Sequence, residues 1–476
     1  MGMSELPSGW TATTLGDVAN WGSGGTPSRS ESSFYGGTIP WIKSGELNSR
    51  YVTTAQEHIT EAALNGSSAK LFPAGSVAIA MYGATIGKTA ILGIDAATNQ
   101  ACAVGAPIEG LIGKEFLYRL LQNEKESFIE KGKGGAQPNI SQAVIKAHII
   151  GLPPLAEQTR IAQKLNELLA QVDTLKARVD AIPTLLKRFR QSVLAASISG
   201  RLTEDWRKKN TTCLDIALNP KAKNLGMEEL TGAEEILGEP LPSFWKKYAL
   251  EQLVEPGRGV PYGIVQTGNA VSKGVSTVRC GDIKNLFIDT SGLKVVSPDI
   301  EQGYKKTRLK GGEVLLAIRG SVGNVGVAPE SLRDCNISRE VAMIPTLPSV
   351  LPFYLACLLQ SPLGQCLLVC KVRGVAQKGI NLADVKRLPV ALPPYEEQIE
   401  IVHRVEQLFA FADQLEAKVA SAKNRIDHLT QSILAKAFRG ELVPQDPNDE
   451  PASVLLERIQ AQRASAPKTR RGRKSA

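Results

Sequence analysis

The amino-acid sequence predicts an α+β protein in which two mixed α/β domains are separated by two long helices forming an antiparallel coiled coil. Two observations support this fold class. The 476-residue chain contains two copies of one sequence unit, and each copy ends in a long heptad pattern of apolar residues. Because an internal repeat decides the architecture of a chain, we expect an internal pseudo-two-fold repeat.

The repeat is visible as short segments that return in the same order. Leu6-Pro-Ser-Gly-Trp10, for example, returns as Leu241-Pro-Ser-Phe-Trp245. The other matching segments are 41–47 with 277–283, 75–83 with 312–320, 152–158 with 392–398, and 191–195 with 431–435. So many matches in one order predict two homologous halves.

Each copy begins with short apolar, β-branched runs punctuated by Gly, Ser, Asn and Pro. Val77–Ala80 and Val314–Ile318 are examples. This pattern is typical of a compact domain rich in strands and loops. We therefore predict one domain over 1–151 and a second over 241–391, joined by a polar linker over 203–240.

The two long helices are predicted over 152–202 and 392–442, and a tail follows over 443–476 with one short helix from Ala452 to Ile459. Pro154 and Pro394 suit a first helical turn, and Pro183 is expected to kink or split the first helix. The residues predicted at the coiled-coil interface are Ile161, Leu165, Leu168, Val172, Leu175, Val179, Ile401, Val405, Leu408, Leu415, Val419 and Ile426. The alternative, in which each helix packs only on its own domain, stays open.

The composition narrows the possible classes of function. The formal net charge is +9, and it is uneven: residues 1–150 carry 11 basic and 12 acidic side chains, whereas residues 241–391 carry 19 and 11. A basic domain suits a polyanionic partner. The seven cysteines form no C-x-x-C pair, and neither a secretory pattern nor an unbroken apolar span is present. We therefore expect a cytoplasmic protein without disulfides.

The motifs that resemble catalytic sites each lack a residue that the chemistry requires. Gly83-Ala-Thr-Ile-Gly-Lys88 has one residue too few between its glycines for a Walker A loop, and the second copy lacks the lysine. Leu392-Pro-Pro-Tyr395 resembles the Asp/Asn-Pro-Pro-Tyr motif of amino-methyltransferases, but leucine cannot accept a hydrogen bond from the target amine. The four histidines show no metal-ligand spacing. We expect no active site, no metal and no cofactor in this chain.

The two copies, each with a helix opening Leu-Pro-Pro-x-x-Glu-Gln, resemble the specificity subunits of type I restriction-modification systems. The resemblance covers nearly the whole chain and is most specific at 152–158, 191–207, 392–398 and 438–459. It implies that this subunit recognises double-stranded DNA, one half of a split, non-palindromic target per domain, while the helices set the spacer. It also implies two modification (methyltransferase) subunits using S-adenosylmethionine, and restriction subunits using ATP and Mg²⁺ for translocation and cleavage.

Direct base readout requires Arg or Lys for guanine and Asn or Gln for adenine, with further basic residues on phosphates. Candidate DNA-binding residues are Lys43, Tyr82, Lys88, Asn99, Lys133 and Gln137 in the first domain, and Arg279, Lys284, Arg319, Asn324, Arg339, Arg373, Gln377 and Lys378 in the second. Lys43 corresponds to Arg279, and Gln137 to Gln377.

Three other function classes stay open. A fused restriction-methylation enzyme would need a methyl-donor site, which the motifs do not provide. A coiled-coil scaffold that never touches DNA is compatible with the near-neutral first domain. A repressor would need a helix-turn-helix pattern, which the sequence lacks.

Overall fold

The computed structural model describes residues 6–131, 139–210, 218–220, 222, 241–370, 372 and 379–465. It divides into two compact units, one formed by Met1–Asp180 with Ser421–Ala476 and the other by Ala181–Ala420. Each unit therefore holds one globular domain and a part of each long helix. The predicted domain boundaries, by contrast, kept each helix whole.

The first unit contains eleven strands among its described residues, in sheets of five, four and two strands. The strands are β1 Thr11–Thr14, β2 Ala19–Ser23, β3 Tyr35–Ile42, β4 Tyr51–Val52, β5 Glu57–Ile59, β6 Leu71–Phe72, β7 Val77–Ala80, β8 Thr89–Leu92, β9 Ala96–Thr98, β10 Cys102–Pro107 and β11 Ile149–Leu152. The sheet orders are β2-β10-β7-β8-β4, β5-β3-β9-β6 and β1-β11.

The second unit contains eight strands among its described residues. They are β12 Lys246–Ala249, β13 Val275–Val278, β14 Lys294–Val296, β15 Val314–Ala317, β16 Val325–Val327, β17 Asn336–Ile337, β18 Val341–Ile344 and β19 Pro389–Leu392. The sheet orders are β14-β13-β17, β16-β15-β18 and β12-β19. Each matches part of a sheet in the first unit: β5-β3-β9, β8-β7-β10 and β1-β11. The internal repeat is confirmed at the level of topology.

The described residues also contain thirteen α-helices. They are α1 Leu15–Val18, α2 Glu61–Gly66, α3 Lys114–Asn123, α4 Lys125–Lys131, α5 Gln142–Lys146, α6 Leu155–Ile198, α7 Glu204–Arg207, α8 Pro298–Glu301, α9 Pro352–Gln360, α10 Pro362–Val369, α11 Leu382–Lys386, α12 Tyr395–Phe438 and α13 Ala452–Ser465. In the described chain no single helix is long and apolar enough to cross a membrane. Only α9 and α10 together, across a 68° bend, reach that length and composition.

The central strands are buried on both faces, which explains their continuous apolar runs. In β7, Val77 and Ile79 pack in one apolar cluster, whereas Ala78 and Ala80 pack in another. The same alternation divides β15. Because successive side chains of a strand point to opposite faces, both faces of each sheet must be covered.

The two long helices are confirmed, each 44 residues long. α6 runs unbroken through Pro183, so the proline does not split the helix, and the alternative expectation of a kink stays a prediction. The ring removes a single backbone donor, and the flanking turns keep their own hydrogen bonds. Within each unit the helix segments run antiparallel: Lys176 pairs with Asp427 and Asp180 with Lys423 in the first unit.

The predicted seam is only partly buried. Ile161 and Leu165 are fully buried in the core of the first domain, and Ile401 and Val405 in that of the second. Val172 and Val419 are also buried, while Leu168, Val179, Leu408, Leu415 and Ile426 are half-buried.

Leu175 is a correction, because its side chain is 48% exposed. The buried seam in the first part of α6 runs instead through Ile161, Leu165, Leu169 and Val172, which are spaced four, four and three residues apart. A straight helix turns once per 3.6 residues and drifts from a 3.5-residue seam, which moves the buried position from Leu168 to Leu169.

The Glu-Gln pair of each Leu-Pro-Pro-x-x-Glu-Gln segment is buried and joins helix to domain. Glu157 accepts a hydrogen bond from Trp10 Nε1 at 3.1 Å, and Glu397 accepts one from Trp245 Nε1 at 2.9 Å. Gln158 accepts from the backbone N–H of Gly113 and donates to two backbone carbonyls. The motif thus does more than begin a helix: it anchors the helix to the first residues of each copy.

Candidate nucleic-acid interface

A short turn follows the strand β13 in the second domain and positions Arg279. The backbone N–H of Arg279 donates to Asp282 Oδ2 at 2.8 Å, which closes the short turn Cys280–Asp282. Its guanidinium donates to both carboxylate oxygens of Asp282 and to the carbonyl of Gly292. This ion pair raises the pKa of Arg279. The side chain stays 43% exposed, so a fixed positive charge faces solvent.

The first domain repeats this turn after β3. The backbone N–H of Lys43 donates to Glu46 Oε1 at 3.0 Å. The ammonium of Lys43 bonds to Glu57, and Arg29 binds the same carboxylate at 2.7 Å. The hydrogen bond from Lys43, aided by Arg29, lowers the pKa of Glu57. The predicted correspondence of Lys43 with Arg279 therefore extends to the backbone, although only Lys43 is paired to a carboxylate outside its own turn.

A cleft of about 450 Å³ lies beside Arg279. Its lining residues are Ile264, Val265, Gln266, Thr267, Arg279, Lys294, Ser338, Arg339 and Glu340. Three cations thus face one carboxylate. Lys294 is held by Thr267 Oγ1 at 2.8 Å and by the carbonyl of Gly268 at 2.5 Å. Such a concave, cationic and polar surface suits phosphates and base edges.

The first domain has a smaller cleft of about 290 Å³ with a different character. It is lined by Glu46, Asn48, Ser49, Tyr51, Val52, Thr53, Thr54, Ala55 and Gln56, with no lysine or arginine. Lys88 reaches Asn48 Oδ1 at 2.7 Å from outside this lining. The charge difference predicted from the sequence is therefore present locally in the structure.

Most of the other candidates differ in exposure and in hydrogen bonding. Lys284 and Arg319 are exposed, and Tyr82 is half-buried against the first core. The side-chain amide of Asn324 donates to the carbonyl of Ile283 at 3.0 Å, so this group supports a loop, and its contact with DNA stays a prediction. Five candidates lie outside the described residues: Lys133, Gln137, Arg373, Gln377 and Lys378.

Sequence reasoning missed three residues near these turns. Arg29 stacks over the ring of Tyr35 at 4.4 Å while it binds Glu57, and Lys294 lines the larger cleft. Gln100 is exposed in the turn between β9 and β10. None of the three lies in a segment that matches visibly between the copies. Only the register of the paired strands could have shown that they lie near these turns. Among the described residues no group of His, Cys, Asp and Glu is arranged to hold a metal.

Comparison with known proteins identifies the class. The family of the type I restriction modification DNA specificity domain matches this chain twice, over residues 7–184 and 245–422. The protein therefore carries two DNA specificity domains, which together span most of its length. The chain belongs to this family, and its function is DNA target recognition as a specificity subunit of a type I restriction-modification system.

Individual relatives agree. The EcoBI specificity subunit of Escherichia coli is 38% identical over 367 residues, covering 75% of this chain and 73% of that protein. The EcoKI specificity subunit of Escherichia coli strain K12 is 31% identical over 489 residues and covers 98% of both chains. The predicted family is confirmed.

Solved structures support the fold. A chain from a type I R-M system, studied for complex assembly and conformational transition, matches with a TM-score of 0.60 at 19% identity, covering 92% of this chain and 100% of its own. The HsdS subunit from Thermoanaerobacter tengcongensis matches with a TM-score of 0.56 at 20% identity, covering 92% and 99%.

Proposed function

We propose that each domain reads one half of a split, non-palindromic DNA target and that α6 and α12 set the distance between the halves. The observation that carries this proposal is the pair of turns at Lys43 and Arg279. Their backbones are closed by the same hydrogen bond, yet their surroundings differ in charge. Two domains that share this framework but carry different side chains around it would recognise two different sequences.

The exposed cations predict how the affinity for DNA depends on salt. Lys and Arg side chains neutralise phosphates and release counterions, so binding weakens as salt rises. The second domain holds the larger cationic cleft, and we infer that it contributes more to this salt-dependent affinity. Helices of 44 residues extend about 66 Å at 1.5 Å per residue, which is ample for a spacer between half-sites.

We further propose that this chain has no active site and binds no cofactor. Modification subunits would supply S-adenosylmethionine and methylate adenine, and restriction subunits would supply ATP and Mg²⁺ for translocation and cleavage. The motifs that imitate catalytic sites have structural roles here. Lys88 is hydrogen-bonded to Asn48, and the Leu392-Pro-Pro segment leads from β19 into α12.

The test is to co-express this chain with its modification subunit and to map adenine methylation across a genome by long-read sequencing. We expect a split, non-palindromic motif. Replacing residues 1–151 with the matching domain of a relative should change one half of the motif only. Replacing residues 241–391 should change the other half.

The matched control is a chain in which only the linker 211–217 is replaced, and this should leave the motif unchanged. Unchanged methylation after both domain exchanges would show that the chain is a scaffold. Methylation by this chain without a partner would show that it contains an active site.

A further inference from the structure

The turns between β9 and β10 and between β17 and β18 have the same backbone geometry. The N–H of Asn99 donates to the carbonyl of Ile42 at 3.1 Å, and the N–H of Ser338 donates to that of Val278 at 2.9 Å. Each turn then closes on itself, from Cys102 to Asn99 and from Val341 to Ser338, both at 3.1 Å. Position 100 in the first domain therefore corresponds to position 339 in the second.

Strand register supports the same assignment independently. Cys102 pairs with Ala80, and Val341 pairs with Ala317. The next backbone bond also repeats, because the N–H of the residue after Ala80 donates to residue 101 and the N–H of the residue after Ala317 donates to residue 340, both at 2.8 Å. Hydrogen bonds on both sides hold each turn.

A glycine beneath each turn adds to this rigidity. A Cβ at Gly24 would lie 2.1 Å from the carbonyl oxygen of Asn99, and a Cβ at Gly263 would lie 1.8 Å from that of Ile337. Only glycine permits the neighbouring chain to approach so closely. Gln100 and Arg339, which lie in these turns, are thus presented from a backbone that has little freedom to move.

The side chains at this position differ in a way that matters for DNA. Gln100 and Arg339 are both exposed, and no side-chain hydrogen bond or ion pair joins either to another described residue. Their neighbours are engaged: Asn99 accepts from the thiol of Cys102, and Arg279 binds Asp282. Glutamine can bond in bidentate fashion to adenine N6 and N7, and arginine to guanine O6 and N7.

We propose that Gln100 and Arg339 are specificity-determining residues, with Arg339 reading a guanine in the second domain's half-site and Gln100 reading an adenine in the first domain's half-site. This inference rests on the proposed function, since it assigns the base that each domain reads. In each turn, Gln100 or Arg339 is the residue whose side chain is exposed, unpartnered among the described residues and able to read a base, and these two residues differ between the copies.

The first test is motif mapping with Arg339→Gln and Gln100→Arg in the complex with modification subunits. Arg339→Gln should remove or change the requirement for one guanine in the second half-site and leave the first half-site intact. Gln100→Arg should change one adenine position in the first half-site only. Arg333→Gln is the matched control, because Arg333 is paired with Glu330 and does not line the cleft.

The outcomes separate the two proposals. If the wild-type complex methylates a split motif and Arg339→Gln leaves every position unchanged, the assignment of Arg339 is overturned while the proposed function stands. A second half-site without guanine would overturn it too. If the wild-type complex yields no split motif, the proposed function fails.

A second measurement starts from the wild-type complex, so it gives a result even if Arg339→Gln does not assemble. The wild-type complex is bound to oligonucleotides in which 7-deazaguanine, which lacks the N7 acceptor, replaces one guanine at a time. We expect about a 10-fold to 100-fold loss of affinity at one guanine of the second half-site. Arg339→Ala should remove most of that sensitivity. No loss at any guanine, or an equal loss in the variant, would overturn the inference.

Discussion

The carboxylate of Glu397 lies 2.9 Å from Trp245 Nε1, and it also accepts hydrogen bonds from Thr203 and Arg207. Its side chain is only 1% exposed. One buried acid therefore joins the start of α12, the start of the second domain and the segment after α6. Removing it would leave the indole and the hydroxyl without their acceptor and would remove the carboxylate partner of the guanidinium, which also donates to Thr203 Oγ1.

We predict that Glu397→Ala lowers the free energy of unfolding by about 3–5 kcal/mol, as breaking a buried ion pair does. Glu397→Gln should cost less, about 2 kcal/mol, because the amide oxygen can still accept hydrogen bonds. Urea unfolding followed by tryptophan fluorescence measures both. Glu396→Gln, next to it and exposed, is the control and should change little.

Glu157 provides an internal comparison. Burial raises the pKa of Glu157, and its hydrogen-bond donors are the neutral groups of Trp10 and Gln445. Glu397, by contrast, has a guanidinium partner, because it accepts a hydrogen bond from Arg207. Glu157→Gln should destabilise less than Glu397→Gln. Equal losses would mean that the charge of Arg207 contributes nothing.

A second prediction concerns acid stability and Asp205. Arg404 binds both carboxylate oxygens of Asp205, at 2.6 and 3.1 Å, and lowers its pKa to about 2. An acid whose pKa is lower in the folded state stabilises the fold above its unfolded pKa, near 3.9, and loses that contribution as pH falls.

The stability difference between wild type and Asp205→Asn should therefore be largest above pH 4 and shrink towards pH 2. Unfolding midpoints across this range measure it. Asp205 is largely exposed, so added salt should reduce the difference at every pH. A difference that grows on acidification would contradict the assigned pairing with Arg404.

The two domains and the two long helices could be predicted because they leave regular patterns in the sequence. The repeat and the heptads are patterns of residue type at fixed spacing, and these defined the two domains and both helices. Leu175 was predicted wrongly because a heptad count assumes 3.5 residues per turn along the whole helix. The anchoring role of Glu157 and Glu397 was not predicted, because an acid in a first helical turn already has an ordinary explanation in the helix dipole.

The site was harder to predict because loop lengths differ between the copies. Lys43 and Arg279 lie 236 positions apart and sit in segments that resemble each other. Gln100 and Arg339 lie 239 positions apart, after loops of unequal length, in segments with no shared residues. Only the paired strands on either side reveal that these two residues share one position.

A third prediction tests Pro183. Proline in a helix interior costs about 3 kcal/mol relative to alanine, whereas its rigidity in the unfolded chain returns up to about 1 kcal/mol. Pro183→Ala should therefore raise the free energy of unfolding by about 1–2 kcal/mol. Thr184→Ala, at the next exposed position, is the control. A loss of stability in Pro183→Ala would show that the helix depends on the proline ring at this position.

The last prediction concerns the cationic cleft of the second domain. Lys294 and Arg279 line the cleft as fixed positive charges, which suits phosphate contact. Each substitution to alanine should weaken binding of the assembled complex to all DNA sequences alike. Each should also reduce the slope of log affinity against log salt by about 1, the value for one lost phosphate contact.

Arg333→Ala, outside the cleft and paired with Glu330, should leave that slope unchanged. The behaviour of Arg339→Ala should be different again, because a base contact carries sequence discrimination and little counterion release. Its affinity should fall for the cognate target and hardly at all for unrelated DNA. If Arg339→Ala instead lowered affinity equally for all sequences and reduced the salt slope, Arg339 would be a phosphate contact, and the reading of guanine would belong to another residue.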